Sequence, residues 1–369
     1  MSEQTPTVVF IDDKEEELRP LAERVKAAGI NGCTVDFPDD VDEDTLKSAD
    51  LVVVDHSLDE WITNVDVEQI SLKPPNGIAL ASVLREHSHD LKEYPPTGFA
   101  LITGKPNSVS ATPGERRPHI VARLSNLEWF FEKQTDTEEN VRRITSLAEA
   151  IHDLPEDLSN QPTTMDRLLT MLAVDNHELA DRFHDDIERC RPPIHHIAQD
   201  SGGLILIRWL LHRVLPHTCF LFDYIHLAAR LRVTPQSLKT QLSDESVFGN
   251  ELSKFLYRGL LANFDGNRWW RGGIEQWLWD KTDGNSAKTE AIHALLDALQ
   301  ANSLEKIDIA RPVVTLNEHL EQLEDLSPRA EVVPVQLDDW PSYAEPGYVR
   351  KDLLAEHDHL KLFATEAIE

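Results

Sequence analysis

Four short apolar runs in the first third of the chain each end on a polar or charged residue. Val8–Ile11 leads into Asp12 and Asp13, Leu51–Val54 into Asp55, Phe99–Ile102 into Thr103, and the largely apolar Leu127–Glu132 into Lys133. Apolar runs of this length, spaced by helix-like stretches, are what parallel strands covered on both faces require. In open parallel sheets, ligands sit beyond the carboxyl ends of the strands. Three carboxylates, one hydroxyl and one ammonium are therefore expected at one end of one sheet. That set suits Mg²⁺, which prefers oxygen ligands, and a phosphoryl group whose charge must be neutralised.

The intervening segments fit the same plan. Residues 14–28 read as a helix with Leu18, Leu21, Ala22 and Val25 on one face, stopped by Gly29. Residues 33–37 read as a short second strand, and 39–50 as an acidic connection with a helical turn. Pro74 to Gly77 opens a helix through Arg85, and residues 118–124 form a short one. Residues 137–154 carry an apolar stripe of Val141, Ile144, Leu147 and Ile151. Five βα units predict a doubly wound α/β domain with a parallel five-stranded sheet. A mostly α-helical domain is expected to follow it. The expected divisions are 1–152, a linker over 153–165, a helical part over 166–329, and an acidic, proline-containing tail over 330–369 with a strand near 331–335 and a closing helix near 349–362.

With these residues in order, the segment 7–152 resembles the receiver domain of two-component response regulators. Asp12 and Asp13 stand where receivers hold Mg²⁺, and Asp55 where the phosphorylated aspartate stands. Thr103 matches the hydroxyl residue that contacts the phosphoryl group, and Lys133 the lysine after the fifth strand. Asn76-Gly77-Ile78-Ala79-Leu80 resembles the opening of the helix after the phosphorylated strand. The resemblance implies Asp13, Asp55 and the Ser57 carbonyl as direct Mg²⁺ ligands, with Asp12 acting through water. It implies a histidine kinase or phosphotransfer protein as phosphodonor. Pairing of two copies is a further partner reading, and receivers without an output reader serve as relays or phosphate sinks, as in some phage-defence operons built like two-component systems. Self-phosphorylation and dephosphorylation are the activities implied.

Three departures from the family pattern are visible. Gln134 follows Lys133 where a proline is usual. The stretch from Asp55 to Gly77 is long, so residues 58–73, with Trp61 and Ile70, read as an insertion. Lys105-Pro106 imitates the lysine–proline pair but lies only two residues past Thr103, too early to follow a fifth strand. The aromatic that could report phosphorylation is open among Trp129, Phe130 and Phe131.

The second half carries no P-loop, dinucleotide fingerprint or serine-hydrolase elbow. Residues 205–215, 220–231, 251–264 and 290–301 read as helices. Residues 224–242 resemble a helix-turn-helix, with Arg232 at the turn position usually held by glycine and Gln236, Lys239, Thr240 and Gln241 outward. A DNA-binding regulator using that segment is one alternative function. The other is an effector enzyme in the helical half, for which His212 or His226 in a deep polar pocket would be the sign. From Arg189 to Arg232 the charge inverts, with Arg208, Arg213 and Arg230 among the cations. This is read either as a positive face for an acidic partner or as side chains snorkelling at core-helix ends. At least two of Trp269, Trp270, Trp277 and Trp279 are expected in the core.

The formal net charge of −29 over 369 residues opposes wrapping of nucleic acid by the whole surface, which needs a positive face. Three scattered cysteines and the lack of a signal-peptide pattern or a membrane-length apolar run lead to the expectation of a cytoplasmic, membrane-free protein.

Overall fold

The computed structural model describes residues 5–63, 73–91, 96–155, 165–174, 180–196, 203–242, 246–341 and 343–365. The chain forms two compact units. The first comprises Met1–Met171, Pro193–His212 and Leu260–Asp265; the second comprises Leu172–Pro192, Arg213–Gly259 and Gly266–Glu369.

In the first unit, strands β1 (Thr7–Ile11), β2 (Gly32–Asp36), β3 (Leu51–Asp55), β4 (Gly98–Thr103) and β5 (Trp129–Glu132) make one sheet in the order β2-β1-β3-β4-β5. Every pairing is parallel. Helices α1 (Glu15–Ala27), α2 (Glu43–Ser48), α3 (Asp59–Thr63), α4 (Gly77–Leu91), α5 (Pro106–Val109), α6 (Arg116–Leu124) and α7 (Thr137–His152) follow or flank the strands. The apolar runs form strands because both faces are covered: Val8 to Ile11, Leu51 to Val54 and Phe99 to Ile102 are all buried. Leu18, Ala22 and Val25 are the buried face of α1, and Val141, Ile144, Leu147 and Ile151 are buried along α7. β5 begins at Trp129, two residues later than the apolar pattern predicts; Leu127 N–H still donates to the Ala122 carbonyl of α6 at 2.9 Å.

Register decides where the polar strand ends fall. Ile11 pairs with Val54, Asp55 with Ile102, and Thr103 with Glu132. Asp12, Asp55, Thr103 and Lys133 thus lie within a residue or two of one rim of the sheet. Two later segments also belong to this unit, and the helix Leu204–Trp209 lies in the first of them.

The second unit combines helices with three antiparallel pairs: Leu221–Phe222 with Trp269–Trp270, Pro312–Leu316 with Gln322–Pro328, and Val332–Val335 with Gly347–Arg350. Its core gathers Leu227, Leu231, Phe248, Trp269, Ile274 and Leu278. Two expected helices differ from the structure. Leu221–Phe222 is a short strand, and the helix starts at Tyr224, where the Asp223 carboxylate accepts the His226 N–H at 2.8 Å as an N-cap. The helix expected over 251–264 is Val247–Ser253, after which the backbone leaves helical geometry, with Leu261 at φ 62°. The closing segment is the pair of short helices Lys351–Glu356 and Asp358–Lys361. Trp269, Trp270 and Trp277 are buried, and Trp279 is 56% exposed. Ile70 and most of the expected linker, residues 156–164, lie outside the described residues. Among the described residues, no helix is long and apolar enough to cross a membrane.

Candidate functional site

The Lys133 ammonium stands among carboxylates from two other strand ends and from α1. Its Nζ lies 3.2 Å from Asp55 Oδ1, 3.4 Å from Asp12 Oδ2 and 3.1 Å from Glu17 Oε2. Lys133 N–H donates to the Thr103 carbonyl at 2.8 Å, which holds the residue after β5 against the end of β4. Gln134, in place of proline, donates from Nε2 to the Gly104 carbonyl. A side-chain hydrogen bond thus ties down the loop that a proline ring would otherwise restrict.

The acids are held by backbone donors. Asp12 Oδ1 accepts from Lys14 N–H at 2.8 Å, and Asp55 Oδ2 from Ser57 N–H at 3.1 Å. Asp13 Oδ2 accepts from Glu60 N–H at 2.6 Å and Trp61 N–H at 2.9 Å, placing a carboxylate at the first turn of α3. The insertion expected over 58–73 therefore begins by docking on the acid pair, and Trp61 joins the core with its indole N–H donating to Asp39 at 2.8 Å. The Thr103 side chain is fully buried, and its Oγ1 accepts from Lys105 N–H at 3.0 Å. Lys105 precedes α5 and acts on the Lys133 cluster only as a minor charge beside Glu17.

Gly77 is required by the close approach of α4. Its N–H donates to the His56 carbonyl at 3.0 Å, and a Cβ there would lie 2.0 Å from the Asp55 carbonyl oxygen. No side chain can occupy that position without moving the backbone of the Asp55 loop.

Charge is unbalanced at this rim. Burial, and then the neighbouring Asp55 carboxylate, push the Asp12 carboxyl up to about 7. Burial also raises Asp55, against the opposing pull of Lys133. Burial works against the Lys133 charge, but Asp55, Asp12 and Glu17 outweigh it and raise the ammonium. Asp13 Oδ1 is a buried oxygen with no hydrogen-bond partner among the described residues, and Asp55 Oδ1 has only its ion pair with Lys133. Buried carboxylate oxygens in excess over one ammonium suit a hard divalent cation. Asp12, Asp13 and Asp55 are the side chains that would hold it, and the Ser57 carbonyl belongs to the same loop as Asp55.

Solved structures similar to the chain are receiver domains. They include the BeF3-activated DrrB receiver domain (14% identity, TM-score 0.26, covering 40% of this chain and 99% of that one). A CheY-like receiver protein from Methanospirillum hungatei JF-1 matches at 12% identity, TM-score 0.26, over 40% and 98% of the two chains. The receiver domain of NarL from Mycobacterium tuberculosis matches at 16% identity, TM-score 0.26, over 40% and 98%. No protein-family model matches the chain, and no curated protein matches it. The all-parallel sheet in the order 2-1-3-4-5 is the flavodoxin-like arrangement that receivers share. The first unit is receiver-like in fold.

Sequence reading missed a second polar cluster in the same unit. Glu128 is fully buried, and its Oε1 accepts from Arg208 Nη2 at 2.6 Å and Nε at 3.0 Å. Its Oε2 accepts from Arg85 Nη2 at 3.3 Å and from the Phe99 N–H. Arg208 also donates to the Asn126 side chain at 2.5 Å. His212 Nε2 meets the Glu128 carbonyl at 3.1 Å, and its Nδ1 lies 3.0 Å from His119 Nδ1. Trp129 stacks on His212, and Phe264 meets it edge-on. The two returning segments thus pack on the strand that ends at Lys133. The sequence signals were a lone glutamate inside an apolar run and the charge-inverted segment that carries Arg208.

The helix-turn-helix reading needs correction in one respect. Arg232 does adopt the left-handed conformation expected of a turn glycine, at φ 59°. Gln241, however, is buried and accepts from the Ser303 hydroxyl, so it does not belong to an outward base-reading set.

Proposed function

We propose that the chain is a response-regulator-like protein whose Asp55 accepts a phosphoryl group, in a Mg²⁺-dependent reaction, from a phosphohistidine of a histidine kinase or phosphotransfer protein. The observation that carries this reading is the Lys133 ammonium 3.2 Å from Asp55 and 3.4 Å from Asp12, at the ends of three different strands. An Asp55 oxygen attacks phosphorus, an oxygen–phosphorus bond forms, and the phosphorus–nitrogen bond to the donor imidazole breaks. Lys133 offsets the charge on the phosphoryl oxygens, and the Thr103 hydroxyl, at the end of the neighbouring strand, supplies a hydrogen-bond donor. When bound, Mg²⁺ supplies charge neutralisation between nucleophile and phosphoryl group. Output leaves through protein contacts. Residues 204–212 and 260–265 belong to the same unit, and Arg208, His212 and Phe264 meet Glu128 and Trp129 at β5, so they are the elements that would first register a change at Lys133.

Trp61 N–H donates to Asp13, so cation binding has a fluorescence readout. Titration with Mg²⁺ is expected to change tryptophan emission saturably in the wild type and not in Asp13→Asn, whose amide oxygen still accepts from Glu60 and Trp61. Identical titrations of the two proteins would remove Asp13 as a ligand and weaken the reading.

A further inference from the structure

The second unit holds a half-open cavity of about 250 Å³ whose wall is basic in a chain of net charge −29. Two of its arginines are already neutralised: Arg230 is bidentate on Glu275 at 2.7 Å, and Arg271 pairs with Glu345. The others are not. Arg232 is 8% exposed, and its Nε is buried with no hydrogen-bond partner among the described residues. Its one side-chain hydrogen bond is a 3.3 Å contact from Nη1 to the Ile309 carbonyl. No carboxylate partners Arg311 among the described residues, and Arg329 lies 5.0 Å over the Tyr348 ring. A buried guanidinium nitrogen left without an acceptor is destabilising, and it persists here beside a cavity that Arg311 also lines.

Thr218, His226 and Gln322 also line the cavity, and a carboxylate outside its lining holds the last two. The Asp223 carboxylate sits 2.9 Å from His226 Nδ1, and His226 Nε2 lies 2.7 Å from the Thr218 hydroxyl. Gln322 Nε2 donates to the same carboxylate at 3.1 Å. Arg232 and Arg311 both hold the left-handed backbone, at φ 59° and φ 51°, a conformation that non-glycine residues adopt at a cost and often beside binding sites. Burial, with Arg230 and Arg311 adding to it, lowers the Arg232 guanidinium from its ordinary value, so an anion held among these arginines relieves their mutual repulsion.

We propose that this cavity binds a small phosphate-bearing molecule, its phosphate taken by Arg232 and Arg311. Guanidinium forks match phosphate oxygens in geometry and charge, and the volume admits a phosphate monoester with a compact organic body rather than a polymer. The segment Arg189–Arg232 that inverts the charge of the sequence therefore contributes to a pocket rather than only to a face.

The test is calorimetric titration of the full chain with inorganic phosphate and with AMP, in low salt and with EDTA present so that the cation-dependent Asp55 site is silent. Saturable binding of either probe, weakened at least about tenfold in both Arg311→Asn and Arg232→Lys, is the expected result. Asparagine tolerates the left-handed backbone, so Arg311→Asn removes the charge without adding strain. Tighter binding of AMP than of phosphate would identify an organic phosphate as the ligand class; equal binding would identify free phosphate. No saturable binding of either probe, or binding unchanged in both variants, overturns the proposal, whatever the outcome at Asp55.

Discussion

Glu128→Gln removes one charge from a buried ionic cluster of the first unit, and its cost can be worked from the structure. Glu128 is fully buried, whereas the Arg85 and Arg208 side chains are 16% and 26% exposed. The carboxylate accepts from both guanidiniums and from the Phe99 N–H. An amide of the same shape keeps one acceptor oxygen and turns the other into a donor facing donors. Breaking a buried pair by removing one partner costs about 3–5 kcal/mol. Partial exposure of both arginines reduces this to about 2–4 kcal/mol, since water recovers some of their hydration. For a unit of this size each kcal/mol moves the thermal midpoint by about 2–4 °C, so a drop of about 4–16 °C is expected. Hydrogen exchange localises the effect. Amides of Leu204–Trp209 are expected to exchange faster, because Arg208 is the anchor of that helix, whereas those of β1 and β3 change less. In an Arg208→Met background the same substitution should cost less, by about 1–2 kcal/mol. A Glu128→Gln protein with an unchanged midpoint and unchanged exchange in 204–209 would refute the claim that this carboxylate holds the returning segment.

Gly77→Ala puts a methyl group 2.0 Å from the Asp55 carbonyl oxygen and 2.9 Å from His56 Cα. Both are backbone atoms, so the loop must move; a loss of about 1–3 kcal/mol in urea denaturation is expected, with slower modification of Asp55. Wild-type behaviour in both would contradict the close approach. Burial, with nearby arginines, holds His119 down at about 4, and burial, with His119, holds His212 down at about 2. Both rings are neutral in the fold, while the unfolded chain takes up protons below about pH 6.5. Stability from this pair is therefore complete above about pH 6.5 and falls as pH drops towards 4, by about 1.4 kcal/mol per pH unit for each proton taken up. Comparing wild type with His119→Leu from pH 7 to pH 5 isolates the effect. A flatter profile in the variant is expected, and parallel profiles would count against two neutral rings.

The parallel sheet was legible because its strands are buried on both faces and so read as unbroken apolar runs. The gathering of polar residues at its rim was legible because Asp55, Thr103 and Lys133 each close such a run. What was not legible depends on tertiary partners. Nothing local to residues 204–209 tells an apolar helix which core it joins; Arg208 finds its acid 80 positions away at Glu128. The sequence pattern over 251–264 satisfied helical spacing, yet Leu256 bridges to Trp269 and Leu261 turns left-handed, so strand pairing and turn geometry overrode propensity. Gln134 looked like a missing proline, and only the Gly104 carbonyl opposite it shows how the loop is held. Asp13 looked like a free metal ligand, but one of its oxygens is committed to the first turn of α3, whose position depends on residues past Ser57.

The most direct measurement is the mass of the Asp55 peptide after incubation of the full chain with Mg²⁺ and acetyl phosphate. One hydroxylamine-labile phosphoryl group is expected on that peptide in the wild type, none in Asp55→Asn, and much less in Lys133→Met. A wild-type peptide that gains nothing while the chain remains folded, or an Asp55→Asn protein that is modified as the wild type is, would contradict the assignment.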